Sequence, residues 1–136
     1  DVFLARNFLG PPPTRSTYFA GLRIGSKREW ILKFDPQNRV REIFVGDGDA
    51  YIMSGVSYWT AKDAATIKHL LEASVARGGF ESMVWDDLIK DHLELFDVFV
   101  RKIAADDWFE IDDVAELEKA ERHVSGASWM GGTAPI

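Results

Sequence analysis

The spacing of apolar residues changes near the middle of the chain, and that change limits the fold more than any other feature. Up to Trp59 apolar and polar residues alternate in short runs, the period of a half-buried strand. From Thr60 apolar residues recur at steps of three and four, with Ile67, Leu70, Leu71 and Val75 on one helix face. Alternation returns over residues 95–103. A last short run, Trp108-Phe109-Glu110-Ile111, then leads into a helix carrying Val114, Leu117, Ala120 and Val124. Hairpins, two helices, strand, short strand, helix is the order of a mixed α/β fold, and α/β is the expected class.

The first half divides at turn signals. Residues 16–24 read as a strand closed by Gly25-Ser26-Lys27, and Glu29-Trp30-Ile31-Leu32-Lys33-Phe34 as a second. Asp35-Pro36-Gln37-Asn38 is a turn, because Pro36 presets φ and Asn38 tolerates the left-handed region. Residues 39–45 return as a third strand to make a hairpin. Gly46-Asp47-Gly48-Asp49 turns again into a long strand over 50–59, whose Ser54-Gly55 step signals a bulge or a close backbone approach. Thr60 with Asp63 resembles a capping box, Gly78-Gly79 ends that helix, and a second helix is expected over 81–92. The first nine residues form a short amphipathic piece stopped by Gly10-Pro11-Pro12-Pro13.

At 136 residues the chain fits one domain, expected over 1–124, with 125–136 expected as a flexible, small-residue, glycine-rich tail holding an isolated Trp129. The net charge of −6, with no basic stripe, argues against a nucleic-acid partner. It suits a protein whose acids hold divalent cations. The absence of cysteine excludes disulfides and thiolate chemistry. No apolar run approaches ~18 residues, so no membrane span is expected and a cytoplasmic location is. The chain opens at Asp1 rather than Met, and is expected to be a piece of something longer.

Three sets of residues are candidates for chemistry. Carboxylates at Asp86, Asp87, Asp106, Asp107, Glu110, Asp112 and Asp113 could serve a hard cation, although most surface acids are merely solvated. Trp30, Tyr58, Trp59, Trp85 and Trp108 could pair with those acids around a quaternary ammonium, or be core. His69, His92 and His123 show no metal spacing and read as surface residues. Asp112 or Asp113 is the natural N-cap of the last helix, with Glu116 near its first turn, where the helix dipole favours negative charge.

Taken in order, several segments resemble the bacterial CTP:phosphocholine cytidylyltransferases, a branch of the sugar-phosphate nucleotidyltransferase superfamily. They are Thr14-Arg15-Ser16-Thr17-Tyr18-Phe19, Glu29-Trp30, Ser54-Gly55-Val56-Ser57-Tyr58-Trp59 and Trp85-Asp86-Asp87. Glu110-Ile111-Asp112-Asp113-Val114-Ala115-Glu116-Leu117 is similar to the superfamily's closing strand and helix. The resemblance implies the C-terminal half of a Rossmann-like mixed sheet with a β-hairpin arm and flanking helices. It implies transfer of a cytidylyl group from CTP to phosphocholine, giving CDP-choline and pyrophosphate, with Mg2+ as the cofactor. By position it implies Asp1 and Asp112 as metal ligands, and Trp30, Trp85, Asp86, Glu110, Tyr18 and Tyr58 around the choline group. Asp113 stands where the family often has Ser or Thr. The family's Gly-rich nucleotide loop has no counterpart here, so these 136 residues alone are not expected to turn over. The alternatives are a non-catalytic choline-binding or oligomerising module, with the hairpin arm forming a homodimer, or a relative acting on another sugar or amino-alcohol phosphate.

Overall fold

The computed structural model describes residues 1–126. Its elements are β1 (Val2–Leu4), β2 (Thr17–Phe34), β3 (Val40–Tyr58), α1 (Ala61–Arg77), α2 (Trp85–Asp91), β4 (Phe99–Ile103), β5 (Trp108–Glu110) and α3 (Val114–Gly126). β3, β2 and β4 form one sheet in that order, with β2 antiparallel to β3 and parallel to β4. β1 and β5 pair antiparallel in a separate two-stranded ladder. The mixed sheet with flanking helices is the expected α/β architecture. Ser125 and Gly126 complete α3 instead of opening a tail, and the rest of the expected tail lies outside the described residues.

The four segments read as separate strands are in fact two. β2 and β3 run as one long ribbon, and the two glycine-rich steps face each other across it as a corner. There Asp49 Oδ1 accepts from the Gly25 N–H at 2.8 Å and Asp47 Oδ1 from the Arg28 N–H at 2.7 Å. Ser26 Oγ donates to the Gly48 carbonyl at 2.8 Å. These side chains satisfy backbone groups that the shifted register would orphan, so pairing survives where the local signals read as turns. Arg28 sits at φ 55°, in the left-handed region. Past the corner the ribbon doubles back, and Ile31 bridges both Phe44 and Ile52. The Ser54-Gly55 step is both a bulge and a close approach: Gly55 has φ 79°, and a Cβ there would lie 2.9 Å from Val2 Cγ2.

Two other boundaries move for local reasons. α2 starts at Trp85, not at 81, where the Asp87 carboxylate accepts from the Val84 N–H at 3.1 Å. β4 starts at Phe99, not at 95, because Leu93–Leu95 form a single 3-10 turn.

The period of two puts alternate ribbon residues on two cores. Tyr18, Ala20 and Leu32 face one side with Val40, Ile43, Val98 and Val100, and Ile67 of α1 and Ile89 of α2 close it. Ile31 and Ile52 face the other side against Trp108 of β5, which is fully buried. α1 is pinned to the sheet by a buried polar relay. Ser16 Oγ donates to Asp63 Oδ2 at 2.5 Å and accepts from the Thr60 N–H at 3.0 Å. Thr60 Oγ1 in turn accepts from the Asp63 N–H at 3.3 Å. Asp63 thus reaches the N-cap through Ser16, a capping box with one residue interposed.

Candidate functional site

A cleft of about 520 Å³ opens where the ribbon corner meets the end of β5 and the start of α3. Arg23, Lys27, Arg28, Glu29 and Trp30 line it from β2, and Glu110, Asp112, Glu116 and Lys119 from the β5–α3 segment. Each side has a local cause. Arg28 in the left-handed region turns the strand just before Glu29, so the consecutive residues Glu29 and Trp30 both reach the cleft. Arg23 is held by three contacts: its guanidinium lies 4.1 Å from the Trp108 ring centroid and donates to the carbonyls of Ala105 at 3.0 Å and Trp108 at 3.2 Å.

The β5–α3 junction divides the acidic pair. Asp113 Oδ1 accepts from the Glu116 N–H at 2.9 Å, so Asp113 is the cap. Glu116 Oε2 accepts from the Asp112 N–H at 2.8 Å, which fixes the backbone of Asp112 and leaves its carboxylate exposed. Asp1 is laced to the same point. Its carbonyl accepts from the Ile111 N–H at 2.7 Å, and its nitrogen lies 3.6 Å from Asp112 Oδ1.

The cleft carboxylates feel one another. Burial pushes the Glu29 carboxyl up; Arg23 opposes this, and Glu116 and Asp112 add to it. Burial likewise raises Glu110, reinforced by Glu29, Asp112 and Glu116. Burial lowers the Arg23 guanidinium, against the pull of Glu29, Glu110 and Glu116. The site therefore gathers carboxylates that gain from an added positive charge.

Of the expected site residues, Trp30, Glu110 and Asp112 share this cleft, with Asp1 beside Asp112. Tyr18, Asp86 and Trp85 form a second group around the Tyr18 core, against which Trp30 also packs. Tyr18 donates to Asp86 Oδ1 at 2.8 Å, and Trp59 packs edge-on against both Tyr18 at 5.4 Å and Trp85 at 5.7 Å. The two groups meet at α2, where Lys90 Nζ lies 6.0 Å from the Trp30 ring centroid. Tyr58, partly exposed at the end of β3 opposite Thr17, lines neither. Trp108 is core, not cage. His123 is half-buried on the Phe109 ring at 5.1 Å rather than a plain surface residue. Glu29, Arg23, Glu116 and Lys119 were missed as site residues. Only Glu29 carried a signal, its place next to Trp30, and the turn at Arg28 that makes both face the cleft has no local signature.

Asp86 offers a test by pH. Burial is the largest influence and raises its carboxyl, the Tyr18 hydrogen bond opposes this, and Asp87 raises it further. The phenol of Tyr18 is pushed far up, first by burial and then by the Asp86 charge. A raised folded-state carboxyl holds its proton more tightly than the unfolded chain does. Its contribution to stability is present below the unfolded carboxylate range and lost as pH rises through the raised value. Asp86→Asn keeps an acceptor for Tyr18 and removes that loss. Urea melts at pH 4 and pH 7 should therefore show a flatter pH dependence for the variant, with no deficit at pH 7.

Comparison with known proteins then identifies the frame. No known family profile matches the chain. It is 34% identical over 121 residues to the choline-phosphate cytidylyltransferase of Streptococcus pneumoniae, covering 89% of this chain and 53% of that protein. It superposes on the structure of the CTP:phosphocholine cytidylyltransferase from Streptococcus pneumoniae with a TM-score of 0.85 and 33% identity, over 90% of this chain and 54% of that one. The chain is a homologue of the choline-phosphate cytidylyltransferases. The choline-phosphate cytidylyltransferase of Haemophilus influenzae is 29% identical over 116 residues, covering 84% of this chain and 50% of that protein. The 2-aminoethylphosphonate cytidylyltransferase of Lancefieldella rimae is 32% identical over 107 residues, covering 79% and 44%. The chain spans about half the length of the curated relatives it matches. Its mixed sheet, ribbon and helices are those of the cytidylyltransferase fold.

Proposed function

We propose that the chain is the acceptor-binding and metal-binding half of a cytidylyltransferase that makes CDP-choline from CTP and phosphocholine. The observation that carries this reading is the single cleft holding Trp30, Glu110 and Asp112 between residues of both charges. Phosphocholine is a zwitterion. Its trimethylammonium group gains from an indole face and nearby carboxylates, and its phosphate from cations. A phosphate oxygen of the acceptor attacks the α-phosphorus of CTP in line, the new P–O bond forms, and pyrophosphate leaves with the electrons of the broken bond. Trp30 and Glu110 orient the acceptor by its head group, so its phosphate lies toward Asp112.

The end of the cleft at Asp112 offers one exposed carboxylate, with the Asp1 backbone beside it. Among the described residues no three Asp, Glu or His side chains converge as a closed metal cage. A magnesium site of this kind needs only one or two carboxylates, with phosphate oxygens and water completing the shell. Asp112, exposed and backbone-fixed, with Asp1 adjacent, would hold the ion, which when bound supplies charge neutralisation on the phosphates. Among the described residues no helix is long and apolar enough to cross a membrane, which is consistent with a cytoplasmic enzyme. A homodimer through the ribbon arm is supported by Ile24 and Val45, exposed there at 72% and 51%.

Calorimetric titration with phosphocholine tests the acceptor site directly. Binding is expected for the wild type, and Trp30→Ala should weaken it about tenfold to thirtyfold, the equivalent of a ~2 kcal/mol cation–π contact. No heat with the wild type would sink the reading. Because one relative acts on 2-aminoethylphosphonate, that ligand belongs in the same series. Tighter binding of it than of phosphocholine would shift the substrate to a primary amine.

A further inference from the structure

We infer that Glu29 is a specificity-determining residue of the acceptor cleft, the carboxylate that makes it select a cationic head group over a neutral one of the same shape. The inference rests on the acceptor reading of the cleft.

Three observations converge on Glu29 rather than on its acidic neighbours. Glu116 is engaged in holding the Asp112 N–H, and Asp112 stands at the metal end next to Asp1. Glu110 shares the cleft with Trp30 but comes from a different strand. Glu29 is joined to Trp30 by one peptide bond on a corner that cannot drift. Asp47 and Asp49 hold the backbone of Arg28 and Gly25, and pairing of Glu29 with Gly46 and Trp30 with Val45 resumes at once. Adjacent residues of a paired strand point to opposite faces, so Trp30 packs against the Tyr18 core while Glu29 lies near Arg23. The braced corner preorganises the Glu29 carboxylate in the wall of the cleft that Glu29 and Trp30 both line.

The chemistry follows from the ligand class. A trimethylammonium group has no N–H to donate, so it is recognised by ring faces and by charge alone. One half-buried indole distinguishes it poorly from a tert-butyl group, which the same ring also welcomes by apolar contact. Discrimination must then come from a nearby carboxylate in a partly desolvated place, and Glu29 is half-buried, unlike Asp112. The corner also explains why a carboxylate survives there: the Arg23 guanidinium, fixed on Trp108, moderates its cost of burial.

The test is titration of the chain with phosphocholine and with its neutral isostere, 3,3-dimethylbutyl phosphate. Wild type and Glu29→Gln are compared, with Glu29→Asp as the rescue. The wild type should prefer phosphocholine by about tenfold or more. Glu29→Gln should lose most of that preference by weakening on phosphocholine while the isostere is unchanged, and Glu29→Asp should recover part of it. If both ligands weaken equally in Glu29→Gln, or if neither changes, Glu29 does not set specificity and the inference fails with the acceptor reading intact. If the wild type binds neither ligand, both are overturned. If selective binding is lost in Glu29→Gln but the whole protein transfers no cytidylyl group, the inference stands and the enzymatic reading falls.

Discussion

Gly21→Ala is expected to cost the fold about 3 kcal/mol, the upper end for forcing extra volume into a closed core. A Cβ at this position would lie 1.9 Å from Cζ3 and 2.1 Å from Cη2 of Trp108. That ring has no exposed surface through which to retreat, and Arg23 is seated on it. Removing the ring by Trp108→Ala should cost about 3–5 kcal/mol through lost burial and the cavity left behind. The two changes occupy the same space, so they should not add. The double variant should be more stable than the sum of the single losses by at least about 1 kcal/mol, because the new methyl enters the space the ring vacated. Urea denaturation of the four proteins measures this, and strict additivity would contradict the packing described. The effect reaches the site as well, since Trp108 anchors the strand that presents Glu110 and the residues after it.

On the proposal that Asp112 holds Mg2+ in a cytidylyltransferase, Asp112→Asn should lower transfer by at least about 100-fold in the whole protein. Loss of the supporting partners around a metal already costs 10–100-fold, and a direct ligand costs more. The fold should be little moved, because the Asp112 backbone holds the junction and its exposed side chain makes only the 3.6 Å approach to the Asp1 nitrogen. Asp113→Ala should do the reverse. It removes the acceptor for the Glu116 N–H and should cost about 1 kcal/mol of stability with transfer largely retained. The pair is measured by transfer rate against Mg2+ concentration alongside thermal melts. Equal loss of activity in both variants would remove the division of labour between adjacent carboxylates.

Much of the fold was legible along the chain because its cause is local. Helix α1 follows from a repeat of three and four and from Thr60 and Gly78 at its ends, and both caps are as the sequence implies. The turn at Pro36 and Asn38, the bulge at Gly55 and a cap within the Asp112-Asp113 pair likewise need only a residue's own φ preference or its reach to the next turn. The ribbon corner was misread for the same reason. Gly25-Ser26-Lys27 and Gly46-Asp47-Gly48-Asp49 each satisfy the local rule for a turn. Whether they end strands or cross-brace each other depends on hydrogen bonds between residues about twenty positions apart.

The site divides along that line. The spacing of apolar residues established an α/β chain, and residue types supplied carboxylates and aromatic rings of the kind that can pair around a quaternary ammonium, because charge and ring faces belong to the side chain itself. Which of those side chains meet was decided only by the tertiary structure. Trp30, Glu110 and Asp112 converge because the ribbon doubles back at Arg28 and β5 docks Trp108 against Gly21. Tyr18 lies in the core against which Trp30 also packs, Asp86 and Trp85 reach it from helix α2, and Glu29 meets the cleft just past the left-handed turn at Arg28.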